Sequence, residues 1–405
     1  MATEVHGFAS SKFAGVRRLF QKQLETGLEP HGAALSLYEK GELVADLWGG
    51  YADPSNKQEW TEETLAVVFS VTKAVASLCV AVLVDRGHVK YEDLVTKHWP
   101  EYGQNGKGAT TVQMIMEHSA GLASITQEIS MDEMRQHEKM GELLASAVPN
   151  YEPGTMVTYH IITFGYLVDQ LIRRIDPKRR GVATFLKEEV AEPNGVELYI
   201  GLPPEQNSRV ARVSQVARWA RVKEVVRTPG TIPFFLKMGY ALTLKGTASQ
   251  TRTAVFQNPQ WLKDPMPFLG DPTNWSLEMA SALGITNSRS LGKLFSLLSE
   301  GRIVSQETLD KVCTPAHVDL ADGFFMSRFS RGWGFIFYKH PQANGAARKE
   351  RLEDWIFGHP GHGGSNVKVD LKNRLVIAYA TNAEHTGEEA LTFLNLQKAV
   401  YDAMT

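Results

Sequence analysis

Residues 69–86 read Phe69-Ser-Val-Thr-Lys-Ala-Val-Ala-Ser-Leu-Cys-Val-Ala-Val-Leu-Val-Asp-Arg86. Val71, Ala74, Val75, Leu78 and Val82 recur at helical spacing, and Gly87 supplies a stop. The pattern predicts a buried helix over 71–86. Lys73 is the only cation between Ser70 and Asp85. A lysine in so apolar a helix must be satisfied by local polar groups or be partly desolvated. Desolvation moves it toward the neutral amine, the form that can accept a proton. Ser70 lies three residues earlier, on the same helix face. There the helix dipole and the free N–H groups favour developing negative charge. Ser70 and Lys73 are therefore a candidate nucleophile and base. A plainer account stands beside this one: Ser70 caps the helix and Lys73 snorkels to solvent.

The S-x-x-K pattern alone is weak, since a chain of 405 residues should hold roughly one or two by chance. Three occur: Ser70/Lys73, Ser290/Lys293 and Ser365/Lys368. Ser365 opens an alternating run through Val367, Val369 and Leu371. On a strand, residues three apart point to opposite faces, so its lysine should turn away. Lys293 falls on an amphipathic pattern and reads as a solvated face.

Working outward, Phe13, Val16, Phe20 and Leu24 give an amphipathic helix over 12–25. Two strand-like runs, 33–38 and 43–48, flank Glu39-Lys-Gly-Glu42 and predict an antiparallel hairpin. Strand patterns return at 333–338, 367–371 and 375–380, and a last helix pattern runs over 388–399. Strands thus sit at both ends and helices between. The expected fold is α+β: an antiparallel sheet built from both termini, flanked by helices, with a large helical insertion. The expected division is an α/β sheet domain of residues 1–69 and 285–405, an inserted helical domain of 70–284, and an active site in the cleft between them.

The composition narrows the classes. Hydrophobic residues make up 43% and charged residues 22%, as in ordinary globular proteins, and the formal net charge is −2. That balance gives no support for nucleic acid as a partner. Of two cysteines, Cys79 reads as a buried thiol. Neither C-x-x-C nor H-E-x-x-H occurs, so no metal and no cofactor is expected. No 18-residue apolar run and no apolar leader pattern is visible, so a cytoplasmic protein without a transmembrane segment is the expectation. Arg173, Arg174, Lys178, Arg179 and Arg180 fall at a helix end, where cations suit the dipole. Arg or Lys at 209, 212, 218, 221, 223 and 227 read as a solvated helix face, with a membrane-surface or gating helix as the alternative.

Four segments carry a family resemblance. Phe69-Ser-Val-Thr-Lys73 resembles the first motif of the penicillin-recognising serine enzymes. That superfamily holds class C β-lactamases, D-alanyl-D-alanine carboxypeptidases and family VIII carboxylesterases. Thr111-Val-Gln-Met-Ile-Met-Glu-His-Ser-Ala-Gly-Leu122 resembles its T-V-x-x-L-L-x-H-x-S-G-L element. Pro153-Gly-Thr-Met-Val-Thr-Tyr-His160 resembles P-G-T-x-x-x-Y-S and places the second-motif tyrosine at Tyr159. Gly358-His-Pro-Gly-His-Gly-Gly-Ser365 resembles the third motif, with His359-Pro-Gly361 where β-lactamases have K-T-G. The resemblance thins between about 200 and 285. It implies a β-lactamase/transpeptidase-like fold.

Two departures bear on the substrate. The β-lactamase second motif is Y-x-N, but position 161 is Ile; the third-motif lysine is His359. Both losses remove groups that handle a β-lactam or peptide, and both are tolerated in the family's esterases. The resemblance therefore implies a carboxylesterase that takes a small or medium acyl ester through an acyl-enzyme on Ser70. Amide hydrolysis or acyl transfer is the alternative within the superfamily. A catalytically silent homologue that assembles into larger particles is the alternative outside it. The G-x-S-x-G elbow of another esterase class does not occur.

The resemblance also implies roles. Ser70 would be the nucleophile, with Lys73 and Tyr159 a coupled base. The backbone N–H groups of Ser70 and His362 would form the oxyanion hole. Gly361, Gly363 and Gly364 would let that backbone approach a ligand. His359 could hydrogen-bond Tyr159 or the substrate. His160 reads as structural, and His118 and Ser119 as packing. Phe234, Phe235, Met238 and Tyr240 lie in an apolar run and are candidates for an acyl pocket wall.

Overall fold

The computed structural model describes residues 4–214, 246–343, 345, 347–385 and 389–405. Its main sheet starts from a hairpin. Strand β1 is Val5–Ala9, β2 is Gly32–Glu39 and β3 is Glu42–Asp53. Glu39 pairs with Glu42, so the β2–β3 loop is only Lys40-Gly41. Both loop residues have positive φ, 54° and 85°, as a tight primed turn requires. Short β4, Gln58–Glu59, pairs with β3.

The later strands are β8 His317–Ala321, β9 Arg328–Gly332, β10 Phe335–Lys339, β11 Trp355–Pro360, β12 Asn366–Asp370 and β13 Leu375–Thr381. The order across the sheet is β1-β3-β2-β13-β12-β11-β10-β9-β8, and the paired strands are antiparallel. The β13–β2 seam joins the two ends of the chain, with Tyr379 opposite Leu35 and Thr381 opposite Ala33. This is the sheet expected from the patterning. Between β4 and β8 the regular structure of the described residues is mainly helical. Three short strands, β5 Ala66–Val67, β6 Leu198–Ile200 and β7 Gly284–Thr286, form a second sheet there, ordered β5-β7-β6.

Both faces of the main sheet are covered, which is why β2 and β13 are buried along almost their whole length. On one face, helices Ala14–Glu25 and Leu391–Asp402 bring Phe20, Leu24, Phe393 and Leu396 against Leu35, Leu37, Leu47 and Ile377. On the other lies helix Ser288–Ser299. Its Gly292 permits the approach: a Cβ there would sit 2.9 Å from the Tyr38 ring. Helix Val71–Asp85 is buried through its first thirteen residues, Val71 to Leu83, and packs between helix Thr163–Ile175 and β11. Such all-round burial matches its all-round apolar sequence. Cys79 and Cys313 are both buried free thiols. No helix among the described residues is long and apolar enough to cross a membrane.

Two element boundaries differ from the expected ones. The strand expected from 333 begins at Phe335, because Trp333 and Gly334 form the β9–β10 turn with φ of 57° and 87°. The last helix begins at Leu391 rather than 388, since Glu389 turns inward and its carboxylate meets Lys368 Nζ at 2.7 Å.

Candidate active site

Strand β5 delivers the chain to Ser70 through a sharp bend. Phe69 has φ of 47°, an uncommon conformation for a side chain of its size. Thr72 Oγ1 pins the bend by donating to the Phe69 carbonyl and accepting from Gly284 N at 2.7 Å. Ser70 therefore stands at the N-terminus of helix Val71–Asp85 with its side chain making no capping bond. The plain capping account of this serine is not what the fold uses. Its Oγ lies 3.3 Å from Lys73 Nζ.

Lys73 is completely buried. Its Nζ donates to the Ser281 carbonyl at 2.8 Å and sits 4.7 Å from the centre of the Tyr159 ring. It does not snorkel. Among the described residues no carboxylate pairs with it, and burial pushes its ammonium well below the usual lysine range. Gly165 makes this arrangement possible, because a Cβ there would fall 2.4 Å from Ser281 N and drive the two segments apart.

Tyr159 is buried, and its phenol is pushed well up by desolvation; hydrogen bonding with Ser70 and the Arg331 charge work against that rise, and the Asp322 carboxylate adds to it. Its ring is boxed by His118 at 4.7 Å, Phe325 at 5.2 Å and His359 at 6.1 Å between centres. The Thr111 element clips the tyrosine segment in place. His118 O accepts from Thr158 N at 3.0 Å, and His118 Nδ1 accepts from His160 N at 3.1 Å. His160 is fully buried, donates from Nδ1 to the Thr158 carbonyl and accepts from Leu122 N at Nε2. It is structural, as expected. His118 does more than pack, since its ring is also a wall of the site.

His359 does not bond Tyr159; its Nδ1 donates to the Pro360 carbonyl at 2.7 Å. Burial pushes its imidazole down to about 3, so it is neutral at physiological pH. The glycine turn lies directly on the segment that leads from β5 into Ser70. A Cβ on Gly361 would meet the Val68 carbonyl at 2.3 Å. Gly363 and Gly364 have φ of 81° and 122°, which side chains rarely adopt. The His362 ring meets Phe69 edge-on at 5.9 Å. Among the described residues, neither the Ser70 N–H nor the His362 N–H donates to an acceptor.

The other two S-x-x-K pairs do not meet. Ser290 Oγ accepts from Glu197 N, while Lys293 Nζ donates to Gly195 O. Ser365 Oγ accepts from Thr381 N, while Lys368 faces Glu389. The arginines at the end of helix Thr163–Ile175 are engaged: Arg173 with Asp169, and Arg174 stacked on Trp99. Of the second cationic stretch, Arg209 pairs with Glu197 and Glu63, and Arg212 lies over Trp275. Its positions 218, 221, 223 and 227 lie outside the described residues, as do Phe234, Phe235, Met238 and Tyr240.

His137, Asp169 and Glu278 bring potential metal-ligating atoms within 4.8 Å of one another. Arg173 already supplies positive charge there, at 2.8 Å from Asp169 and 3.3 Å from Glu278. Three contributors to the Ser70 site carried no sequence signal: the Ser281 carbonyl, Arg331 and Phe325. A hydroxyl beside a desolvated amine, with a phenol against both, is an arrangement for nucleophilic attack and proton transfer.

A model of the β-lactamase family matches residues 16–400. An esterase/β-lactamase, LipL, of Mycobacterium tuberculosis is 36% identical over 211 residues, covering 52% of this chain and 48% of that protein. The chain thus spans about half the length of this curated relative. Among solved structures, a family VIII carboxylesterase superposes with a TM-score of 0.81 at 27% identity, covering 99% of this chain and 100% of the other. A penicillin-binding protein homologue from Caulobacter crescentus superposes with a TM-score of 0.79, also at 27% identity and the same coverage.

Proposed function

Since the chain belongs to the β-lactamase family, we propose that it is a serine hydrolase, and specifically a carboxylesterase that takes small to medium acyl esters. The observation that carries this reading is the completely buried Lys73, with its Nζ 3.3 Å from Ser70 Oγ and no carboxylate partner among the described residues. The likeness to a family VIII carboxylesterase supports the ester over the amide. So do Ile161 and His359, which stand where an amide-handling asparagine and lysine are found in β-lactamases.

In this reading Ser70 is the nucleophile. Lys73 rests as the neutral amine and takes the Ser70 proton as Oγ attacks the ester carbonyl. Tyr159 rests as the neutral phenol and protonates the departing alcohol. The ammonium of Lys73 then restores the Tyr159 proton, and the same pair activates water to release the acyl group. The N–H groups of Ser70 and His362 receive the oxyanion, as fixed dipoles that need no reorganisation. Gly361, Gly363 and Gly364 shape that turn, and His359 is a neutral wall beside Tyr159. We place the site in a cleft between the sheet part, 1–69 and 285–405, and the mainly helical part, 70–284. The acyl wall assigned to Phe234, Phe235, Met238 and Tyr240 rests on their sequence pattern.

The test is a pair of assays on the purified chain. kcat/KM for p-nitrophenyl acetate and butyrate should exceed that for nitrocefin by orders of magnitude. Efficient nitrocefin turnover with negligible ester turnover would move the assignment to a β-lactamase. Absence of both, with no fluorophosphonate labelling, would move it to a silent homologue.

A further inference from the structure

Behind Tyr159 lies a cavity of about 10 Å³, lined by His118, Tyr159, Arg331 and His359 among others. The charged and titratable groups around Tyr159 come from every side. Lys73 comes from helix Val71–Asp85, His118 and His160 from the clipped segments, His359 from β11 and Arg331 from β9. Asp322 comes from the loop before β9. Burial holds Lys73, His118, His160 and His359 toward their uncharged forms. An arginine, in contrast, keeps its charge in any protein environment. Arg331 is only 4% exposed, and its guanidinium meets Asp322 at 2.9 Å while its Nε has no partner. Asp322 Oδ1 accepts from Phe324 N and Phe325 N, which sets the loop that lays Phe325 on the Tyr159 ring. One unit therefore packs Tyr159 and sets the Arg331 cation in the wall of the cavity it shares with that residue, while the Asp322 carboxylate works in the opposite sense on the phenol.

We propose that Arg331, anchored by Asp322, is a positioning residue that stabilises the phenolate formed when Tyr159 gives its proton to the leaving alcohol. The inference rests on the acyl-enzyme reading above. In that step the ester C–O bond breaks and the acyl group stays on Ser70 Oγ. The Tyr159 O–H bond breaks, and a new O–H bond forms on the alkoxide. The Ser70 proton, held on Lys73, then returns to Tyr159. The leaving group decides how much the step matters: an alkoxide must be protonated to depart, whereas p-nitrophenolate departs as the anion.

The experiment compares ethyl butyrate with p-nitrophenyl butyrate, which share one acyl group. Concentrations are normalised to sites labelled by fluorophosphonate. Arg331→Gln should lose at least about 10-fold more kcat/KM on the ethyl ester than on the aryl ester. Arg331→Lys should restore most of the difference. Should Arg331→Gln not fold, the double variant Arg331→Gln/Asp322→Asn removes the pair without stranding a buried charge, and a smaller loss, still selective for the ethyl ester, is expected because Asp322 works against the phenolate. Equal losses on both esters, or no loss on the ethyl ester, would overturn the proposal. Ser70→Ala is the control that separates the two readings. If it still labels and turns over, the acyl-enzyme reading itself fails. If it is inert while Arg331→Gln shows equal losses, only the role of Arg331 fails.

Discussion

Ser70→Ala lowers kcat/KM for p-nitrophenyl butyrate by at least about 10⁴-fold and abolishes fluorophosphonate labelling, with Tm unchanged within about 2 °C: this is the expected result. The size follows from what is removed. No other hydroxyl of the three S-x-x-K pairs has an amine beside it. Ser290 Oγ is held by Glu197 N and Ser365 Oγ by Thr381 N. The fold should tolerate the change because Ser70 Oγ caps nothing. Ser290→Ala and Ser365→Ala should retain labelling. Loss of labelling in either of these, with Ser70→Ala still reactive, would sink the assignment.

Lys73→Met should produce the second large effect, and it should act in two opposite directions. Turnover should fall by about 10²–10⁴-fold, since the amine proposed to take the Ser70 proton is gone. Stability at neutral pH should rise. Burial depresses the folded-state ionisation of Lys73, so between that lowered value and the ordinary lysine value the unfolded chain binds the extra proton. Stability in wild type therefore increases with pH across this window and is penalised below it. Each tenfold depression of the ionisation corresponds to about 1.4 kcal/mol, less whatever the lost bond to the Ser281 carbonyl contributed. Thermal melts of both proteins from pH 6 to 10 would show it: the gap should narrow as pH rises. A gap that stays constant across this pH range would mean that burial does not depress the ionisation of Lys73. Tyr159→Phe should also cost at least about 10²-fold, and the double variant far less than the product of the two, because the residues act as a unit.

Much of this site was legible before any coordinates. Ser70 and Lys73 stand three apart on a helix, so the spacing alone places them on one face. The lone cation in an apolar run left desolvation and snorkelling both open, and the complete burial of Lys73 decides for the first. The hairpin at Lys40-Gly41 was legible because its turn chemistry is local. Trp333-Gly334 was misread, since an aromatic followed by hydrophobic residues looks like a strand start, and only the positive φ at Trp333 makes it a turn. Ser281 left no trace because it contributes a carbonyl, which every residue owns. Arg331 and Asp322 left none because their meaning lies in how strand β9 and the loop before it pack on Tyr159, and no periodicity encodes that contact. His118 was visible as part of an element, but its ring contact depends on how two distant segments cross.

The seam between β2 and β13 has a consequence for how the molecule comes into being. Gly32 N donates to Asn382 Oδ1 across 350 residues of chain. At synthesis rates of about 5–20 residues per second, the first hairpin waits on the order of tens of seconds at the ribosome before its partner strand emerges. For that interval the inner edge of β2, apolar on both faces, is open to any strand that offers itself. The hairpin is thus a part of the nascent protein that needs shielding, and the yield of folded protein should depend on how well that edge is guarded while the rest of the chain is made.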